Sequence, residues 1–363
     1  MSRPAIGSIA DAIERLPAPP ADLPRLPRRA ADSHKGTFGT VCVLGGCAGD
    51  LLDSSGGKGP MMIGAPALSA LAALRAGAGL VRIAAPGPVL PHALSLCPGA
   101  TGVAIPTDED GWYEPSQAAA VVDRIGAMSD VLTVGPGLGT SPGACALVLR
   151  SLQQDRLPVV LDADGLNCLS RIPEFFRDFH ASAVLTPHPG EFRRLVASLG
   201  LKGDLGLASS REKAAEQLAQ RVGRIVVLKG HESVVSDGQR TWVNKSAWHL
   251  GEGGVPCLAT AGTGDVLTGL IGALVGQFAR EGAQESVSSL PPGIDPKLRQ
   301  QFATLANAAR PRAHLDLFAA ACVGVYLHAR AGCLWMLSRG CDGGMLATEL
   351  ADLLPYAVQS LRE

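Results

Sequence analysis

The run Ala261, Gly262, Thr263, Gly264, Asp265 leads straight into an apolar stretch with helical spacing. Glycines let a backbone approach a phosphate closely, and the unpaired amides of a helix N-terminus point at it as donors. Gly262, Thr263 and Gly264 therefore form a candidate anion hole. Asp265 would stand within reach of the oxygen that attacks that phosphate, where a carboxylate can orient a hydroxyl and accept its proton. Aspartate is also a favoured helix N-cap, worth about 1 kcal/mol, and in isolation the run does not choose between base and cap.

Five further loops bear on the choice. In a doubly wound sheet, ligands gather outside the carboxyl ends of the strands. Here those ends carry Gly45 and Gly46, the run Gly135 to Gly139, Asp162 to Gly165, Thr186 to Glu191, and Lys229 with Gly230. Any one of them reads equally as a tight turn between strand and helix. Convergence of all five on one rim favours catalysis by Asp265 over a plain cap.

The elements that must position these residues are legible as short apolar runs, each followed by helical spacing, which indicates a mostly parallel sheet covered by helices. Strands are predicted at 41–45, 80–85, 131–135, 158–162, 183–186 and 225–229. A helix is predicted over Pro66 to Ala76, with Gly77 just beyond its end. Ser233 to Lys245 alternates about an Asp237-Gly238 turn and reads as an antiparallel hairpin on the sheet edge. Val266 to Gln277 reads as a buried helix in which Gly269, Gly272 and Gly276 permit close packing, and Leu315 to Ala331 as another, capped by Gly332. The segment 281–313 loses periodicity and reads as an inserted surface excursion with a short helix near 296–309. Residues 1–33, proline-rich among arginines, read as an extended surface arm, leaving 34–363 as one domain.

Bulk composition narrows the function classes. Of 363 residues 47% are apolar, enough for a substantial core, and the formal charge of -1 offers no basic field for nucleic acid. The nine cysteines are odd in number and scattered through apolar segments, without the close pairs that grip zinc, and read as reduced core residues of a cytoplasmic protein. No secretory leader and no membrane span are read.

The Gly262 to Asp265 run resembles the anion-hole and base signature of the ribokinase-like superfamily, whose fold is a three-layer α/β/α sandwich. Together with Gly135 to Gly139, Asp162 to Asp164, Thr186 to Glu191 and Ala259 to Asp265, it resembles the ADP-dependent NAD(P)H-hydrate dehydratases, in order from about Lys35 to Gly276. Related vitamin kinases have asparagine where this chain has His188, which separates dehydratase from kinase. A nucleotide-binding regulator without turnover is a third reading, against which Asp265 and the glycines argue.

The resemblance implies a substrate in which water has added to a reduced nicotinamide ring. Transfer of the terminal phosphoryl group of ADP, or of ATP, turns the added hydroxyl into a phosphate ester, which the ring nitrogen expels. The products are NAD(P)H, AMP and phosphate when ADP is the donor. By the same resemblance Ala65, Gly137, His188 and Asp265 meet the hydrated cofactor, while Lys229, Gly230, His231, Glu232, Ser233 and Gly264 meet the nucleotide. Lys229 ends an apolar strand, where an unpaired amine is costly; it binds phosphate or snorkels to solvent. His188 meets substrate or satisfies a loop carbonyl. Glu191 organises Mg2+ through water or favours the start of a helix. Asp162 and Asp164 are substrate contacts or turn formers, and Asn167 assists the turn. The family often fuses this domain to an epimerase; none fits before residue 34, so a separate epimerase is the expected functional partner. A homo-oligomer, a tetramer, is also expected. The loop lengthened by Asp50 to Lys58 departs from the family pattern.

Overall fold

A computed structural model describes residues 8–48, 61–108, 111–201, 208–245, 254–279 and 315–362. The Asp50 to Lys58 loop and the 281–313 excursion, with its short helix near 296–309, lie outside them.

Among the described residues nine strands form one sheet: β1 (Thr40–Leu44), β2 (Leu80–Pro86), β3 (Thr101–Ile105), β4 (Val131–Val134), β5 (Val159–Leu161), β6 (Ala183–Leu185), β7 (Ile225–Leu228), β8 (Val234–Ser236) and β9 (Thr241–Val243). Their order is β3-β2-β1-β4-β5-β6-β7-β8-β9, parallel through β7, with β8 and β9 antiparallel at the edge. The strand order reverses between β1 and β4, which opens a crevice beyond their carboxyl ends. The helices are α1 (Ile9–Arg15), α2 (Gly64–Arg75), α3 (Leu90–Leu96), α4 (Ala118–Gly126), α5 (Pro142–Gln153), α6 (Asp164–Leu169), α7 (Pro189–Ser198), α8 (Ala208–Val222), α9 (Thr263–Phe278), α10 (Leu317–Arg339) and α11 (Ala347–Gln359).

Strand periodicity divides the interior into two cores. Val41, Val43, Ile83, Val160 and Val184 point to the face covered by α2, α9, α10 and α11. Cys42, Leu44, Leu132, Leu161 and Leu185 point to the face covered by α4 to α8. Both faces are dry, which is why the central strands are apolar without interruption.

The glycines of α9 set its depth. A methyl group on Gly269 would fall 1.9 Å from the Ser69 carbonyl oxygen of α2, and one on Gly272 would fall 2.5 Å from Thr133 Cγ2 of β4. The helix therefore lies against both the sheet and α2, and its first turn is held at the rim.

Several elements differ from expectation. Residues 8–33 are not simply extended: Ser8 caps α1 through a reciprocal bond with Asp11, and Ala12, Leu23 and Leu26 are buried. The strand β3 and the helix α11 were not among the expected elements, although Leu350, Leu353, Leu354, Ala357 and Val358 of α11 recur at helical spacing. Gly332 does not cap α10. It lies inside the helix, where a side chain would strike Val255 Cγ1 at 2.6 Å, and the left-handed Gly340 ends the helix instead. Among the described residues, α10 is long and apolar enough to cross a membrane, yet 78% of its apolar window is buried within the protein, as befits a core helix. The described cysteines are free, but Cys341 is exposed rather than in the core.

Candidate active site

The first turn of α9 settles one alternative. Its N-cap is Gly262, in the left-handed region at φ 86°, with no side-chain capping bond, so Asp265 is the third residue of the helix and not its cap. Only glycine takes that φ without strain. The Thr263 hydroxyl is spent on the preceding turn, donating to the carbonyl oxygens of Leu258 at 2.8 Å and Thr260 at 2.9 Å. The amides of Gly264 and Asp265 have no intrahelical acceptor, as at any helix start. Ser69 Oγ of α2 donates to the Asp265 carbonyl oxygen at 2.8 Å, fastening the turn from outside.

Beside this turn, Lys229 at the end of β7 donates from Nζ to Asp162 Oδ1 at 2.7 Å, and Thr268 Oγ1 donates to Asp162 Oδ2 at 2.6 Å. The ammonium thus neither snorkels to solvent nor stands unpaired. Burial works against its charge, but Asp162, Glu191 and Asp265 outweigh that and hold its pKa above the ordinary value. One cation therefore faces three carboxylates. Burial, then the charge of Asp162, pushes Asp265 up to about 7, against the pull of Lys229. Glu191 is likewise raised to about 7 by burial, opposed by Lys229 and reinforced by Asp162. A carboxyl with a pKa near neutrality is matched to general-base work at physiological pH.

His188 and Glu191 close the start of α7. His188 Nδ1 accepts from the Gly190 amide at 2.9 Å, and Glu191 Oε2 accepts from the His188 amide at 2.8 Å. The helix-start role of Glu191 is thus present. The His188 ring bonds an amide rather than a carbonyl, which leaves Nε2 with the proton, 3.3 Å from Glu191 Oε1. Burial, with Lys229 and Arg194, lowers its pKa and keeps the half-exposed ring neutral.

Asp164 anchors the Gly135 to Gly139 loop, accepting from the Gly139 amide at 2.9 Å and from Asn167 Nδ2 at 3.0 Å. Between the two aspartates Ala163 sits at φ 49°, an uncommon conformation for a residue with a Cβ, held where two site loops abut. Gly137 also has positive φ, and a methyl group there would lie 3.3 Å from Ala65 Cβ, so these two expected substrate contacts do meet. Near the same loop Cys145 faces Cys168. The neighbouring Cys168 thiol, opposed by burial and helped by Arg171, brings the Cys145 thiol down to about 7.

A cavity of about 700 Å³ opens at the α9 turn. Lys229, Gly230, His231, Ser233, Thr263 and Gly264 border it; Glu232 does not, and neither do Asp265, His188, Gly137 or Ala65. The expected nucleotide contacts other than Glu232 collect at the cavity, while Asp265 lies within electrostatic reach of Asp162, Lys229 and Asp164. Val255, Leu258, Leu267 and Val325 make the far wall apolar.

Three residues that the sequence reading missed shape the site. Arg211 of α8 donates to the carbonyl oxygens of Lys229 at 3.1 Å and Leu228 at 3.4 Å, which folds the 229–233 loop around its guanidinium. Thr268 holds Asp162. His328 of α10 lines the cavity; its one signal was an imidazole within a mostly apolar helical run.

This topology, with its glycine-started helix at the rim, defines a ribokinase-like α/β/α protein. Residues 56–356 match the carbohydrate-kinase-like family model described as NAD(P)H-hydrate dehydratase, and the chain belongs to that family. It is 33% identical to the ADP-dependent (S)-NAD(P)H-hydrate dehydratase of Neisseria meningitidis serogroup B, over 89% of this chain and 86% of that one. It is 33% identical to the bifunctional NAD(P)H-hydrate repair enzyme of Moorella thermoacetica over 93% of this chain and 53% of the relative, and so spans about half the length of such curated relatives. The ADP/ATP-dependent NAD(P)H-hydrate dehydratase of Bacillus subtilis, co-crystallised with ATP and Mg2+, superposes with a TM-score of 0.63 at 26% identity, over 94% of this chain and all of that one.

Proposed function

We propose that the chain restores NADH and NADPH from the S form of their hydrates, with ADP as phosphoryl donor and AMP and phosphate as products. The observation that carries this reading is the place of Asp265. It is a carboxylate free of any capping duty, raised to about 7, on the turn whose Gly264 borders a nucleotide-sized cavity.

In this reading Asp265 takes the proton from the added hydroxyl as its oxygen attacks the terminal phosphorus of ADP. The amides of Gly262 and Gly264 hold the phosphoryl oxygens as charge develops on them, that of Thr263 being turned to the Thr260 carbonyl at 3.4 Å, and Lys229 balances the charge as phosphate approaches Asp162 and Asp265. Ala65, Gly137 and His188 seat the hydrated ring. The ring nitrogen then supplies the electron pair that re-forms the double bond as phosphate leaves.

Among the described residues no three ligand-type side chains are grouped to hold a metal ion. Mg2+ would be carried on the nucleotide phosphates with several waters retained, Glu191 acting through water. ATP as alternative donor, a homotetramer, a separate epimerase and a cytoplasmic location belong to the same proposal. The relatives' ADP-dependent and bifunctional names support the donor and the epimerase.

The test is to incubate the full chain with hydrated NADH, ADP and Mg2+ and follow return of the reduced-nicotinamide absorbance. Recovery with release of AMP is expected. A stable phosphorylated product would point to a kinase, and no recovery with either ADP or ATP would refute the reading.

A further inference from the structure

His328 stands on α10, lines the cavity, and places Nε2 2.8 Å from the carbonyl oxygen of Thr263. A carbonyl only accepts, so Nε2 carries the proton. Burial, opposed by the Thr263 carbonyl and reinforced by Lys229, pushes the ring down to about 4, so it is neutral at physiological pH.

The Thr263 carbonyl and the Gly264 amide belong to one planar trans peptide, in which C=O and N–H point opposite ways. A bond that fixes the carbonyl therefore fixes the direction of the Gly264 N–H. It also draws electron density onto the oxygen, which makes that N–H a stronger donor, as in any chain of hydrogen bonds. We propose that His328 is a positioning residue of the anion hole: its imidazole orients and polarises the Thr263-Gly264 peptide so that the Gly264 amide meets the phosphoryl group being transferred.

A simple tie between two helices would be the plainer role. Yet α10 and α9 already pack through apolar contact, with Gly324 set against Ile271 and Leu274. A buried imidazole in such a helix costs stability unless it is hydrogen-bonded. The carbonyl it bonds is, moreover, the one joined to the Gly264 amide. The inference rests on the proposed phosphoryl transfer for its effect on rate, but its effect on binding can be read without turnover.

The test uses the full chain with His328→Gln, which keeps an N–H donor, and His328→Met, of similar bulk without one. Affinities for ADP and AMP are measured by calorimetry, alongside kcat for hydrated NADH with ADP. His328→Met is expected to lower kcat roughly tenfold, less than the 100-fold or more that removing a whole oxyanion donor costs. It is expected to weaken ADP while leaving AMP, which lacks the terminal phosphoryl group, unchanged, and His328→Gln is expected to recover most of both. Equal weakening of ADP and AMP, or a glutamine variant no better than methionine, would reduce His328 to a structural tie and overturn the proposal. Should the methionine variant fail to fold, His328→Asn, polar but too short, takes its place with the same expectation. If the unaltered chain restores no hydrate at all, the functional reading fails while the ADP-to-AMP ratio still decides the role of His328.

Discussion

Lys229 Nζ at the end of β7 reaches across β6 to Asp162 Oδ1 at the end of β5, 2.7 Å away, with the aspartate almost wholly buried. The pair sets the charge balance of the site, because the same ammonium faces Glu191 and Asp265.

Lys229→Met removes that cation and leaves a buried carboxylate uncompensated. A loss of about 3 kcal/mol in unfolding free energy is expected, together with a pKa for Asp265 raised further above about 7. Urea unfolding and a pH profile of the rate check the two effects. A variant as stable as the parent would mean that the pair is not the hub described.

The stability that Asp265 and Glu191 contribute to the unliganded protein is expected to fall as pH rises from about 4 to about 7, while His328, held down to about 4, works in the opposite direction. Asp265 and Glu191 have folded pKa values near 7, above their ordinary ones, so between the two values the folded state holds more protons than the unfolded chain. Their contribution is fully present below the unfolded pKa and lost on passing through the folded one. Glu191→Gln is expected to flatten part of that slope in thermal unfolding, and an unchanged slope would contradict the assignment.

Gly269→Ala is expected to destabilise by about 1 to 3 kcal/mol, since a methyl group meets backbone rather than a flexible side chain. The displacement would also slacken the Ser69 bond to the Asp265 carbonyl, so kcat should fall along with stability. Denaturant midpoints and initial rates measure both.

His188→Asn separates capping from recognition. Asparagine is a good N-cap, so α7 should be retained and the unfolding midpoint little changed. Loss of the imidazole Nε2 should raise KM for the hydrate roughly tenfold, the scale of one hydrogen bond. An unchanged KM would remove His188 from the substrate face.

The parallel core was legible because two dry faces impose uninterrupted apolar strands, and the 233–245 hairpin because its Asp237-Gly238 turn is local. The strand β3 was not: Thr101, Gly102 and Ala104 are exposed, and no apolar run marks an edge. Gly332 misled because a helix-terminating glycine and a glycine that admits a neighbour look alike until Val255 is in place. At the site, Asp265 and Lys229 stood out through their loops, whereas Arg211, Thr268 and His328 act from helices across long sequence separations. Residue spacing carries no sign of such contacts.

Replacing Asp265 by asparagine and following kcat/KM from about pH 5 to 9 tests the central claim most directly. The parent rate should climb as pH passes about 7, while the variant, with ADP binding intact, should be about 100-fold slower or worse and lack that limb. A variant within a few fold of the parent, or one that keeps the same rise, would contradict a catalytic carboxylate at the head of α9.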